Sequence, residues 1–467
     1  MATLAAADRG RYGRGYRAWL LFLLLMLNVF NLADRQGVAA IAPAVKADLH
    51  LSDTELGFIL GLGFAIFYTV FGMPIAWLAE RRSRVRIVSA ALALFAVFVG
   101  IAGAARTFWQ FMLCRIGVGV GDAGFGPPST SIISDHYPAS QRTAAITIVW
   151  LGAPIGAVSG AMIGGWVAQN SDWRLWCVGL AIPALLFALL TVLTLREPRR
   201  GMSDAVAIAG AAPPMMAAVR FLLSKPSMRH VMIGGALAAT GMNGLGQFWA
   251  RYFVSAYGIG TAETGRFLGM MSSVGMTSGL ALGGFGIAWA ARRDDRWFAW
   301  GPGLSLLLVT PLLLFAFHQP TVVKALPILI AAHVAIFVYY TPTLALTANM
   351  VGADMRASSA FLVGGLVLGL IGIGIGPTIT GILSDYFAAR AFAGGDFGSL
   401  CMGGVPAPGS PAGLGAACRA ASAAGISNAV AVMALLFAWA GVHYLLAARS
   451  LRTDLARHYG GSGQRLS

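Results

Sequence analysis

Asn31-Leu32-Ala33-Asp34-Arg35 sits inside the first long hydrophobic stretch, and its two charges decide how the rest of the chain is read. Tyr16 to Pro43 has the length and apolarity of one membrane-crossing helix, and past Arg17 it carries no other charge. An ionised side chain near a bilayer centre costs at least ~2.5–3.5 kcal/mol on insertion scales, so it faces protein or water and commonly serves a pathway. At ~1.5 Å per residue Asp34 lies about 25 Å along from Arg17, near mid-membrane or slightly beyond. Arg115 and Asp122 form a second set in an apolar segment. They are close to two helical turns apart and point the same way. A helix descending from Phe108 puts Arg115 ~10 Å and Asp122 ~21 Å deep, overlapping Asp34. Asp34 can therefore pair with Arg115. Burial disfavours a carboxylate's charge while a neighbouring guanidinium favours it, so opening the site to either side allows proton exchange. A static ion pair would only lock two helices, and these three charges plus Arg35 exceed what one lock needs.

Composition sets the class. Of 467 residues 57% are hydrophobic and 11% charged, with mean hydropathy +0.73. Soluble domains carry roughly 25% charged residues, so this is a polytopic membrane protein. The net charge of +15 lies at helix ends, which excludes a nucleic-acid-binding face. The sequence predicts twelve spans, near 17–43, 55–79, 86–105, 108–135, 142–168, 175–196, 228–257, 262–291, 297–317, 322–350, 356–388 and 425–448. Residues 1–196 and 228–467 then form two six-helix bundles. Between them 197–227 is a cytoplasmic linker with a basic amphipathic piece, Met215 to Lys225, expected at the membrane surface. The arginine-rich loops, including Arg81, Arg82, Arg84 and Arg86, put both termini in the cytoplasm by the positive-inside rule. The basic, then hydrophobic amino terminus has no small-residue cleavage site and is kept as the first span.

The halves read as a repeat. Ser52-Asp-Thr-Glu-Leu-Gly57 has a counterpart in Gly260-Thr-Ala-Glu-Thr-Gly265, and Gln141-Arg-Thr-Ala-Ala-Ile146 in Met355-Arg-Ala-Ser-Ser-Ala360. Parallel repeats of six spans describe one known transporter architecture, with the substrate site near mid-membrane. Ala76-Trp-Leu-Ala-Glu80-Arg81-Arg82-Ser83-Arg84 resembles the helix 2–3 loop motif of the major facilitator superfamily, with both motif glycines replaced. That resemblance implies a cytoplasmic latch built from Glu80, Arg81 and Arg84. Gly156-x-x-x-Gly160-Ala161-x-x-Gly164-Gly165 resembles the superfamily's antiporter motif with Ala161 in place of proline; close helix packing explains it equally well. Within the superfamily, Asn31-Leu-Ala-Asp34-Arg35, Arg115 to Ala123 running to Ser134-Asp135, Arg196-Glu-Pro-Arg-Arg-Gly201 and Gly374-Ile-Gly376-Pro377 to Ser384-Asp385 are similar to spinster-type transporters. That family usually has Glu at the Asp122 position. The resemblance implies an all-α major facilitator fold, with twelve transmembrane helices in two pseudo-symmetric halves, and secondary transport of a lipid-like or amphiphilic molecule. The alternative is proton-coupled symport of a small organic anion, because the Asp-Arg pair also occurs in anion-symporter relatives.

Asp34, Arg115 and Asp122 are the expected proton-coupling residues. Expected substrate contacts are Asn31, Arg35, Tyr68, Asn243, Gln247, Arg251, Tyr339 and Tyr340. Arg35 and Arg251 can bind an anionic head group through the guanidinium fork, though Arg251 can instead snorkel to the interface. Asn243, Gln247, Tyr339 and Tyr340 can line a cavity or make polar contacts between helices. His333 and His443 read as lone structural histidines. No metal spacing, nucleophile–base pair or phosphate-binding glycine loop appears, so no metal, cofactor or enzyme activity is expected. The expected partners are the bilayer, protons and the transported small molecule, with the chain a monomer in the inner (plasma) membrane. Cys401 and Cys418, in the outer loop expected from Arg390 to Gly425, should form a disulfide if that side is a bacterial periplasm. Such a closure is worth up to about 3 kcal/mol in the chain-entropy model.

Overall fold

A computed structural model describes residues 12–79, 81–137, 145, 148–199, 215–350, 359, 361–401, 404–406 and 413–458. The described residues form helices and their connections. Numbered by membrane crossing, they are α1 (Arg14–Asp48), α2 (Asp53–Leu60 and Leu62–Ala79), α3 (Arg84–Ala102), α4 (Phe108–Ala123 and Gly126–His136), α5 (Gly152–Asn170) and α6 (Arg174–Thr194). A linker helix, Met215–Ser224, precedes α7 (Pro226–Tyr257). Then follow α8 (Thr261–Ala291), α9 (Trp297–Phe317), α10 (Val322–Phe337 and Tyr340–Asn349), α11 (Phe361–Ile375 and Gly376–Ala391) and α12 (Leu414–His458). Among the described residues this order is consistent with the twelve crossings expected from the sequence.

Ten of these segments are long and apolar enough to cross a membrane by themselves. The other two, α4 and α7, carry the polar load: α4 bends at Gly124 after Arg115 and Asp122, and α7 holds Asn243, Gln247 and Arg251. Outward faces are oily, with Leu193, Trp109 and Phe285 largely exposed, as a bilayer-facing surface requires. α12 begins at Leu414 rather than near Gly425, so the loop before it is shorter than expected, and Cys418 sits in the first turns of α12.

The chain packs as two compact units. One holds Met1–Ile41 with Gly63–Gly210, the other Ala42–Leu62 with Ala211–Ser467. The division differs from the expected boundary because the hairpin joining α1 to α2 packs with the carboxyl-terminal helices. Its reason is backbone contact. A Cβ on Gly381 would stand 2.1 Å from the Asp53 carbonyl oxygen, and one on Gly57 2.5 Å from that of Pro377. In the first unit the α5 glycines lie against α1 in the same way. A Cβ on Gly156 would stand 2.3 Å from the Val29 carbonyl oxygen, and one on Gly160 2.4 Å from that of Ala33. The glycine stripe thus seats α5 on the turn of α1 that presents Asp34. Packing accounts for this stripe, whatever the mode of transport.

Candidate functional site

Asp34 and Arg35 are neighbours on α1, so their side chains leave the helix about 100° apart. Each meets a different turn of α4. Arg115 Nη1 donates to Asp34 Oδ2 at 2.6 Å. Arg35 donates from Nη2 at 2.8 Å and from Nε at 3.3 Å, both to Asp122 Oδ2. Two ion pairs therefore bridge the same two helices, from adjacent residues of α1 to positions about two turns apart on α4. Asp34, Asp122 and Arg115 are 1%, 3% and 4% exposed. Arg35 is the open member, with its side chain 21% exposed.

Aromatic rings of α2 complete the first unit's site. The Arg35 guanidinium lies 4.5 Å from the Phe64 ring centre and 5.6 Å from that of Tyr68, and Arg115 lies 5.6 Å from Phe64. A cation over a ring face gains roughly 0.5–2 kcal/mol, more where water is excluded. Asn31 and Asp122 line one small cleft with Phe95 and Phe125. Two buried polar atoms, Asp122 Oδ1 and Arg115 Nε, have no hydrogen-bond partner among the described residues. The site can thus accept a proton or a polar ligand group without first breaking a bond to either atom.

A family model for the Major Facilitator Superfamily matches residues 24–377. The chain belongs to the Major Facilitator Superfamily. It is a multi-pass membrane transporter, not an enzyme. Its fold matches the crystal structure of a bacterial homolog of the human lysosomal transporter Spinster in an inward-facing, unoccupied conformation. The TM-score is 0.83 and the identity 27%, over 95% of this chain and 99% of that one. An MFS-type efflux pump of Mycolicibacterium smegmatis is 28% identical over 373 residues, 79% of this chain and 85% of the pump. A probable sphingolipid transporter, spinster homolog 3 of Arabidopsis thaliana, is 27% identical over 189 residues, which is 36% of its own length.

The superfamily's helix 2–3 motif is organised around one arginine in this transporter. Glu80 lies outside the described residues, and Arg81 is exposed at the end of α2. Arg84, by contrast, is buried. It reaches Asp135 Oδ2 at 2.5 Å, Glu197 Oε1 at 2.8 Å, Ser131 Oγ at 2.8 Å and the Pro198 carbonyl oxygen at 3.0 Å. Asp135 and Glu197 belong to two other stretches that resembled the spinster pattern, so three motifs meet in one cluster. The Glu197 carboxylate also accepts the Val85 N–H and the Ser83 hydroxyl, capping the amino terminus of α3. Burial works against its charge, but the hydrogen bonds from Val85, Arg84 and Ser83 prevail and hold it below the ordinary value.

Sequence reasoning missed a network around Asp53 that lies within the second unit. Asp53, at the start of α2, receives Lys46 of α1 and Arg251 Nε of α7 on one oxygen, the latter at 3.4 Å. Ser384 of α11 donates to its other oxygen at 2.6 Å. Asp385 accepts the backbone N–H groups of Asp53 and Thr54 at 3.0 and 2.6 Å. Arg251 further bonds Ser255 and Ser422. It is therefore tied into the protein by Asp53 and two serines. The available signal was the Ser-Asp ending of α11 beside the Ser-Asp opening of α2.

Other expected contacts divide similarly. Tyr339 is fully buried against Tyr340 and Tyr444, so its ring is closed to a ligand. Tyr340 is half-buried. Asn243 spends its amide on the Ala239 carbonyl of its own helix, and Gln247 stands half-buried one turn on. His443 is not alone, as its Nδ1 lies 3.0 Å from that of His230, so one ring must donate and the other accept. His333 is half-buried, and its buried Nδ1 has no hydrogen-bond partner among the described residues. A disulfide joins Cys401 and Cys418, whose Cα atoms are 5.4 Å apart.

Proposed function

We propose that this transporter moves a lipid-like or amphiphilic small molecule by proton-linked alternating access, as a monomer in the inner membrane with both termini cytoplasmic. One observation carries the reading. Two crossed ion pairs, Asp34–Arg115 and Arg35–Asp122, are buried between α1 and α4, and only Arg35 is partly open. A charge lock alone needs neither the open guanidinium nor the unpartnered carboxylate oxygen. Arg35 can exchange Asp122 for an anionic head group, since both offer oxygens to its fork. Asp122 then loses its cation, and a proton taken up with the substrate restores charge balance. A cationic amphiphile would instead compete with that proton for Asp122. The charge of the head group therefore sets the direction of coupling. The Arabidopsis relative's description as a probable sphingolipid transporter supports an amphiphile as cargo.

The test is transport in sealed proteoliposomes, with and without an imposed pH gradient, against lysophospholipids and small organic acids. Gradient-stimulated movement of a lysophospholipid is expected. Movement of organic acids alone would favour the anion-symport reading, and movement of neither would remove both.

A further inference from the structure

On the lipid-facing side of the first unit, α3 and α6 leave a groove of about 530 Å³ between them. Its floor is small because Ala90, Ala93 and Ala188 occupy the helix faces there, while Ile182, Val192 and the α6 leucines stand up at its edge. Arg86 is the one charged residue lining it. The volume falls within the roughly 300–1,000 Å³ typical of small-molecule sites.

Position identifies the occupant. Arg86 is two residues into α3, about 3 Å from its arginine-rich end, and Ala93 is nine residues in, about 14 Å. Val192 and Ile182 lie about 3 and 18 Å from the same end of α6. The groove therefore runs from head-group level to the bilayer midplane, the ~15 Å depth of one leaflet's hydrocarbon. Arg86 is exposed, its backbone N–H donates to the Ser83 hydroxyl oxygen, and its guanidinium has no hydrogen bond or ion pair among the described residues. The carboxylates that cluster with α3, Asp135 and Glu197, are committed to Arg84 and the helix terminus. An unpaired guanidinium above an apolar slot one leaflet deep complements a phosphate bearing an acyl chain.

We propose that the α3–α6 groove is a binding site for an anionic phospholipid of the leaflet on the arginine-rich side, with its phosphate on Arg86 and one acyl chain along Ala90 and Ala93. The site is separate from the α1–α4 ion pairs and does not depend on which molecule is transported.

Native mass spectrometry of the delipidated full chain, titrated with dioleoyl phosphatidylglycerol or dioleoyl phosphatidylcholine, tests this. Wild type should hold phosphatidylglycerol more tightly, and Arg86→Gln should reduce that preference about fivefold, the worth of one basic residue at an anionic surface. Arg86→Lys should restore most of it. Ala90→Leu with Ala93→Leu fills an outward-facing slot and should lower binding of both lipids. Thermal unfolding in detergent without added lipid checks that each variant is folded; should Arg86→Gln fail, the filled-groove variant still decides. Equal retention of both lipids by wild type means annular lipid only and overturns the proposal. A phosphatidylglycerol preference that survives in every folded variant overturns it too, as does competition by a lysophospholipid cargo at the same site.

Discussion

Two buried charge clusters share α1, and they differ in how completely they are satisfied. In the Asp53 network, joined by α1, α2, α7 and α11, both Asp53 oxygens are bonded, Arg251 has Asp53 and two serines, and Asp385 holds two backbone N–H groups. Among the described residues none of these atoms is left over. In the α1–α4 set Asp122 Oδ1 and Arg115 Nε have no partner among the described residues and Arg35 is partly open. A fully satisfied buried network rigidifies, whereas an unpaired buried polar group is costly and persists where it has work to do. The Asp53 cluster thus fastens the Ala42–Leu62 hairpin, and the α1–α4 cluster is where the proposed function places the site.

The sharpest way to break this contrast is Asp34→Asn. Gradient-driven transport should fall to background in proteoliposomes while the purified protein stays monodisperse. A purely structural Asp34–Arg115 lock predicts unstable protein, rescued by adding Arg115→Gln. Recovered transport in that double variant would abolish the distinction. For the Asp53 cluster the loss should be of stability. Asp53→Asn leaves Lys46 and Arg251 buried without their carboxylate, which costs about 3–5 kcal/mol. A clear drop in unfolding temperature is expected, and an unshifted one would show that the network fastens nothing.

Asp122→Asn should have a smaller effect that concerns pH alone. Lysophospholipid binding in detergent should persist but lose its dependence on pH, because a fixed amide exchanges no proton. An unchanged pH profile would move the proton elsewhere. The smallest effect belongs to the Arg84 cluster. The Glu197 carboxyl is held below its ordinary 4.5 when folded. Its contribution is present above that value and is lost as pH falls through the lower folded one. Thermal stability of wild type should decline over that acid window, and Glu197→Gln should flatten the decline by up to about 1 kcal/mol, since the group is partly exposed. A wild type with no more acid sensitivity than the variant would place the arginine cluster's stability elsewhere.

Hydropathy, helical rise and the loop arginines made the membrane class and the order of helices legible, because a bilayer constrains each segment separately. The Asp34–Arg115 pairing was legible for a related reason: rise per residue fixes depth, and depth limits which buried charges can meet. The partner of Arg35 was not, since it depends on how α1 and α4 are rotated and shifted against each other. That register comes from side chains packed along both helices, including the α5 glycines pressed on the α1 backbone. Arg251 looked like a ligand from its own helix alone. Its anion comes from Asp53, 198 residues away, and the serine and carboxylate that hold Asp53 follow 331 and 332 residues after it. Local sequence sets where a charge stands in the membrane. Only the packed helices decide whether it is spent on a neighbour or left for a ligand, because that choice is made by groups distant in the chain.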